Sequence, residues 1–550
     1  MKNSIKNSLL VLFMVFACSP SSEPSYDHED GLDAFSESTL ERHIATLSSD
    51  EFMGRKPFTE GETKTLEYLQ EQFRAVGLEP GNGNSYLQEV PLVSITTEAE
   101  QQMLVEGPVG DFELKGFDDY VIWTLRTEEE IRLDGDEVVF AGFGAHAPEY
   151  GWNDFEGVDV KDKIILVFVN DPGFGSGDTT LFRGNTMTYY GRWTYKFEEA
   201  ARRGARGCLV IHDEIPASYG FWVLQNSWNT SNLYLASDQY KCPVVGWVTK
   251  NTAKKLFEAA GMDYDQKFAE AHSTEFKAEP MDLKLSTSMQ VSTKYDKSDN
   301  VIGIIRGSTR PEEFILYTAH WDHLGIGNPD ASGDSIYNGA LDNASGTAGL
   351  IELANAFNSM RVRPERSVVF LALTAEEQGL LGAEYYADNP VFPKEQTVAN
   401  INMDGINPFG RMKDIILVGK GQSDLEDYLM DEAEKVGRYV ANETTPEAGY
   451  YFRSDHFCFA RIGIPALFTE TGIDLEGQGK EAGKRLNDDY VDNRYHQPSD
   501  EYVAEEWRLD GAIDDLKLLF QVGKRLSFET TWPGWKEGSE FKAIREGYMK

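Results

Sequence analysis

Cysteine is nearly absent from this chain: there are four in 550 residues, and no two form a Cys-x-x-Cys pair. A thiolate-built zinc site is thereby excluded. Basic residues are also scarce, with Lys plus Arg totalling 52 against 91 Asp plus Glu, for a formal charge of −39. Phosphate binding needs the opposite sign, so nucleic acid is excluded as a partner. The acidity itself serves solubility. No apolar run after the N-terminus is long enough to span a bilayer. No repeat at solenoid spacing is present. What is there is ample material for packed cores: 41% hydrophobic and 12% aromatic residues. At this length one ordinary core does not suffice, and two to three domains are expected.

The N-terminus has its own pattern. Lys2 and Lys6 precede an apolar run at 9–17, too short to span a membrane and suited to a signal peptide ending at Cys18. Val15-Phe16-Ala17-Cys18 resembles a bacterial lipobox. That resemblance implies that Cys18 is lipidated and that the protein is extracytoplasmic, anchored to a bacterial membrane. An ordinary signal peptide with an unmodified cysteine is the alternative. Residues 19–34 follow as a tether, polar and Pro-bearing at its start. Of the remaining cysteines, Cys208 and Cys242 either pair or are buried free thiols.

Short apolar runs at 314–319, 367–374 and 398–403 alternate with helical periodicity at 344–357 and 507–525. This pattern predicts an α/β fold: a mixed, mostly parallel sheet with helices on both faces. Further strands are expected at 415–418 and 464–468. A helix is expected over 60–76, where Leu66, Leu69, Phe73 and Val76 recur at helical spacing and Gly77 stands in the C-terminal cap position. The texture changes between 96 and 285. Strands are expected there at 137–142, 164–169, 208–211 and 243–247, and helices at 195–203 and 252–260. This stretch is an inserted α+β module. The main domain is accordingly split into 35–95 and 286–530, with 531–550 as a C-terminal tail.

Each apolar run in the main domain ends in candidate ligands. His320 and Asp322 follow the first, Glu376 and Glu377 the second, and Asp404 the third. In parallel sheets, ligands gather beyond the carboxyl ends of the strands. Imidazole and carboxylate without thiolate suit zinc and related divalent ions in hydrolytic sites. His320, Asp342, Glu377, Asp404 and His496 are five candidates, more than one catalytic zinc uses. Two ions sharing a bridging carboxylate match the number. Asp322, two residues beyond His320, is placed to fix that imidazole's tautomer.

His320-Trp321-Asp322-His323, 338–346 (NGALDNASG), 374–379 (TAEEQG), 402–404 (NMD) and Tyr495-His496 resemble the ordered motif set of the M28 family of zinc peptidases. The resemblance covers 300–525, and 47–80 is similar to that family's lead-in. The module at 96–285 resembles a protease-associated domain through 152–155 (WNDF), 160–164 (VKDKI) and 199–205 (EAARRGA). The resemblance implies a zinc-exopeptidase fold, two Zn2+ ions or other divalent ions, and peptide substrates. It implies that His320 and Asp404 hold one ion, Glu377 and His496 the other, and that Asp342 bridges them. Asp322 orients His320, and Glu376 is the general base. Tyr495 either stabilises the oxyanion or is a core aromatic beside His496. His323 and Ser454-Asp455-His456 line the pocket or brace ligands.

The leading functional reading is an extracytoplasmic exopeptidase of the aminopeptidase kind, since a carboxylate-rich pocket suits a free ammonium group. The alternative is a carboxypeptidase or dipeptidase of the glutamate-carboxypeptidase type, for which Arg183, Arg192, Arg202 or Arg203 would supply the cation. A non-enzymatic receptor-like relative is a third reading, and the intact Glu376 weighs against it. A glutaminyl-cyclase-like acyl transferase is disfavoured because that group works with one zinc.

Overall fold

The computed structural model describes residues 26–549. The expected signal peptide, Cys18 and the start of the tether lie outside the described residues. Within them, no helix is long and apolar enough to cross a membrane.

The centre of the main domain is the strand Arg310–His320. It pairs in parallel with Arg366–Leu373 on one side and Thr397–Asn402 on the other. Ala466–Thr471 continues the sheet in parallel beyond Thr397–Asn402, and Asp414–Leu417 then adds in antiparallel. At the other end the strand Glu279–Ile305 pairs in antiparallel with Arg366–Leu373. The sheet is therefore mixed and mostly parallel around its centre.

Side-chain alternation explains why helices cover both faces. Residues along a strand point alternately up and down. Val368, Phe370 and Ala372 join a core with the helices Gly346–Ser359 and Leu509–Phe528. Val369, Leu371 and Leu373 point the other way and pack against Leu381–Asp388 and His456–Arg461. All eight residues of Arg366–Leu373 are buried, as a strand covered on both faces requires.

Register fixes where the chemistry gathers. His320 lies opposite Leu373, so Glu376 and Glu377 follow just past that strand end. Thr318 lies opposite Asn402, which places Asp404 level with His320.

A second pair of cores fills the region between the two parts of the main domain. Ile164–Phe168, Gly207–His212 and Val244–Thr249 form its parallel sheet. Cys208 and Cys242 are both buried free thiols. The chain enters this region along Leu87–Ala99 and leaves along the 27-residue strand Glu279–Ile305, and the two pair continuously from Leu87 to Ala99. Positions 96 and 285, expected as module boundaries, thus fall inside these two strands.

Of the segment 531–550, expected as a C-terminal tail, the described residues 531–549 are packed against the main domain. Trp535 and Phe541 are buried, the Trp535 indole donates to the Gly463 carbonyl at 2.8 Å, and Lys542–Tyr548 is helical. Isolated aromatics anchor this stretch, so it shows no periodicity to read.

Candidate active site

The strand ends converge as the register demands. His320 is the last residue of its strand and only 1% exposed. Its Nε2 lies 3.1 Å from Asp404 Oδ1 and 3.2 Å from Asp342 Oδ1. Its Nδ1 lies 3.1 Å from the main-chain carbonyl of Asp322, whereas the Asp322 carboxylate is 3.8 Å away. Asp322 therefore fixes the tautomer through its main chain, since an Nδ1–H donor leaves Nε2 free for a ligand. Its carboxylate accepts instead from the Glu376 N–H, at 3.0 Å, tying the two strand ends together.

Asp342 comes from a tight turn just ahead of Gly346–Ser359. Asp500 accepts from the main-chain N–H groups of Leu341 and Asp342 at 3.0 and 3.1 Å. Asn343 bonds the Met403 carbonyl and the Gly405 N–H, both at 3.0 Å, locking the turn to the Asp404 segment. Thus held, the Asp342 carboxylate turns Oδ1 to His320 and Oδ2 to His496, each 3.2 Å away.

His496 also lies 3.1 Å from Glu377 Oε2. Its backbone is left-handed, with φ 57°, a conformation unusual outside glycine and found where the surroundings impose it. Glu377 takes a second imidazole, His323, whose Nδ1 is 2.5 Å from Oε1. Glu376 Oε2 stands 3.8 Å from His320 Nε2. Tyr495 stacks on the His496 ring with centroids 3.9 Å apart and is 46% exposed, at the rim of the site and not in the core.

Below the site, Arg55 is buried. Its guanidinium donates to the carbonyls of Leu47, Trp321, Asn338 and Gly339 at 2.6–2.9 Å. It clamps the His320 and Asp342 segments from beneath. His323, read in the sequence as a pocket-lining or bracing residue, braces Glu377, whereas the roles of Arg55 and Asp500 are not read from the sequence. Arg55 and Asp500 act through main-chain groups, which carry no residue identity.

The donor set is short of positive charge. Burial disfavours a charged imidazole at His320, yet Glu376 and Asp404 outweigh it and raise that pKa well above 6.5. Burial likewise opposes protonation of His496, but Glu377 and Asp342 carry it to about 10. Burial, then Asp404 and Glu377, drive the Glu376 carboxyl well above its usual range. His496 Nε2 is buried beside two carboxylates but aligned for a hydrogen bond with neither. Such an arrangement fits shared cations better than direct bonding. Two compact groups of ligand atoms stand out, His320–Glu376–Asp404 and His323–Asp342–Glu377. The expected five ligands are all in or against these groups, and the residues fit a pair of divalent ions.

Residues 300–521 match the sequence model of peptidase family M28. The mouse protein named aminopeptidase NAALADL1 is 32% identical over 130 residues, which is 23% of this chain and 16% of that protein. A glutamate carboxypeptidase 2 homolog from Caenorhabditis elegans is 35% identical over 128 residues, 22% of this chain and 15% of that protein. The chain thus spans about a sixth of the length of these curated relatives. A solved aminopeptidase from Aneurinibacillus sp. strain AM-1 aligns over 92% of this chain and 98% of its own, at 17% identity and a TM-score of 0.48. Every residue of the cluster except Arg55 falls within residues 300–521, the stretch that matches the model of peptidase family M28.

Proposed function

We propose that this chain is a dinuclear metal exopeptidase that removes N-terminal residues from peptides, acting outside the cytoplasm on a lipid tether at Cys18. The observation that carries the reading is the Asp342 carboxylate set between two imidazoles, 3.2 Å from each. His320 and Asp404 would hold one divalent ion, Glu377 and His496 the other, with Asp342 shared; zinc suits the donors, and other divalent ions are possible. Ions held there supply positive charge that lowers the pKa of a water and polarises the scissile carbonyl.

The chain's own groups do the rest. Glu376, anchored by its N–H to Asp322, takes the proton of the attacking water and returns it to the leaving amine. The Tyr495 hydroxyl, at the exposed rim, donates to the developing oxyanion. Asp455 has both carboxylate oxygens buried without a partner, and burial drives its carboxyl well above the usual range. Asp322 and His323 hold His320 and Glu377 in register. The module between the two parts of the main domain would act as a protease-associated domain that shapes access to the site.

Metal analysis alongside hydrolysis of peptides blocked at one terminus tests this reading. It expects about two ions per chain and cleavage that stops when the N-terminus is acetylated. Cleavage of N-acetylated peptides with C-terminal blocked ones spared would favour the carboxypeptidase alternative. Hydrolysis that survives complete metal removal would end both.

A further inference from the structure

Glu376 and Glu377 leave the sheet through a turn that the backbone does not favour. The strand Arg366–Leu373 ends just before Thr374, and Ala375 is then left-handed, with φ 53°. A residue bearing a Cβ adopts that conformation only where its surroundings impose it. Thr374 is fully buried and is held by all three of its polar groups. Its N–H donates to Asn300 Oδ1 at 3.0 Å, and its carbonyl accepts from the Gly382 N–H at 2.9 Å. Its hydroxyl lies 2.6 Å from that of Ser298.

The hydroxyl leads outwards to Glu62, a buried acid on the helix Glu60–Ala75. One Glu62 oxygen closes the start of its own helix, accepting from the Phe58 N–H at 2.6 Å. The other accepts from the Ser298 hydroxyl, 236 residues along the chain. A carboxylate only accepts, so the Ser298 proton is committed to Glu62. The Ser298 oxygen is left to accept, and the Thr374 hydroxyl donates to it. The order Thr374 to Ser298 to Glu62 therefore runs one way, and the charge at its end strengthens each bond. Ser298 and Asn300 both lie on Glu279–Ile305, the strand by which the chain leaves the inserted region. Asn300 is held in turn, its amide donating to Gln88 Oε1 at 3.1 Å and to the Gly382 carbonyl at 3.0 Å. Gly382 has no room for a side chain, since a Cβ there would lie 2.3 Å from the Thr374 carbonyl oxygen.

We propose that Glu62 is a positioning residue for Glu376. Through Ser298 and Thr374 it holds the left-handed turn at Ala375, which carries Glu376 and Glu377 from the strand end to the candidate metal site. Asp322 fixes the far side of that turn through the Glu376 N–H, so the base is held from before and from after. The inference rests on the exopeptidase reading for the reaction that Glu376 serves, and on the hydrogen bonds alone for the position. It makes the base depend on the first part of the main domain, the part that precedes the inserted region.

Thr374→Val removes the hydroxyl and keeps the shape, whereas Thr374→Ser keeps the hydroxyl. With zinc in excess, Thr374→Val is expected to lower kcat about 10- to 100-fold at a KM within a few-fold of wild type, and Thr374→Ser to restore most of it. Glu62→Gln keeps the volume but loses the charge and one acceptor, and should lower kcat about 10-fold in the same way. Should Thr374→Val fail to fold, Glu62→Gln carries the test alone. Hydrogen exchange reads the turn without turnover. Peptides spanning 374–382 should exchange faster in both variants, while the rest of the sheet keeps its wild-type protection. That contrast separates a displaced turn from a loosened fold. If the wild-type protein cleaves no peptide but exchange quickens in the variants, the exopeptidase reading fails and the positioning role stands. Wild-type kcat in either variant, a rise in KM alone, or unchanged exchange over 374–382 overturns the proposal.

Discussion

Asp500 holds Asp342 in place by its main chain: the two Asp500 oxygens accept from the N–H groups of Leu341 and Asp342 at 3.0 and 3.1 Å. The residue that faces both imidazoles is thus positioned by a second carboxylate that touches neither. Asp500→Ala should weaken metal binding by about 10- to 100-fold, the usual cost of losing a partner behind a ligand. Competition with a chelator of known affinity measures it. Unchanged affinity would show that the Asn343 contacts alone suffice.

Arg55 presents a different kind of dependence. Its guanidinium satisfies four carbonyls and sits among Asp500, Asp322 and Asp342, whose charges oppose the pull of burial on its pKa. Arg55→Met should destabilise the fold by about 3–5 kcal/mol, as loss of one partner in a buried charged network does. Arg55→Lys should recover little, because an ammonium lacks the planar fork. Denaturant unfolding reads both, and a loss below about 1 kcal/mol would remove Arg55 from the framework of the site.

Glu376→Gln separates holding from reacting. The amide cannot take a proton, so turnover should fall at least about 10²- to 10⁴-fold while metal content stays at the wild-type level. Turnover within a few-fold of wild type would pass the role of base to another group.

Away from the site, Glu352 carries a pH signature. It is buried in Gly346–Ser359, one oxygen accepting from the Ser36 N–H at 3.2 Å and the other without a partner. Burial raises its pKa from 4.5 to about 7. The folded state then binds more protons than the unfolded chain between those values, so the contribution to stability is full below about pH 4.5 and is lost as pH rises through 7. Urea unfolding of wild type and Glu352→Gln across this window should show a falling contribution in wild type that the variant lacks. Parallel profiles would refute the assignment.

The layout of the site was legible in the sequence because apolar runs at 314–319, 367–374 and 398–403 end in His320, Glu376 with Glu377, and Asp404. Strand register then brings those ends level. Long-range partners were legible only by resemblance, since nothing local in 495–500 announces that His496 meets Asp342 and Glu377. The strand Glu279–Ile305 was hidden for a physical reason. Its middle, 292–297, is exposed and charged, and it is held by main-chain pairing with Leu87–Ala99, not by a buried face. The Asp322 carbonyl, in place of its carboxylate, was hidden because main-chain acceptors look alike in every residue.

The most direct test is anomalous diffraction at the zinc edge from crystals of the zinc-loaded protein. Two peaks are expected, one on either side of the Asp342 carboxylate, with His320 and Asp404 at the first and Glu377 and His496 at the second. A single peak, or two peaks that do not share Asp342, would contradict the shared-carboxylate centre on which the proposed function stands.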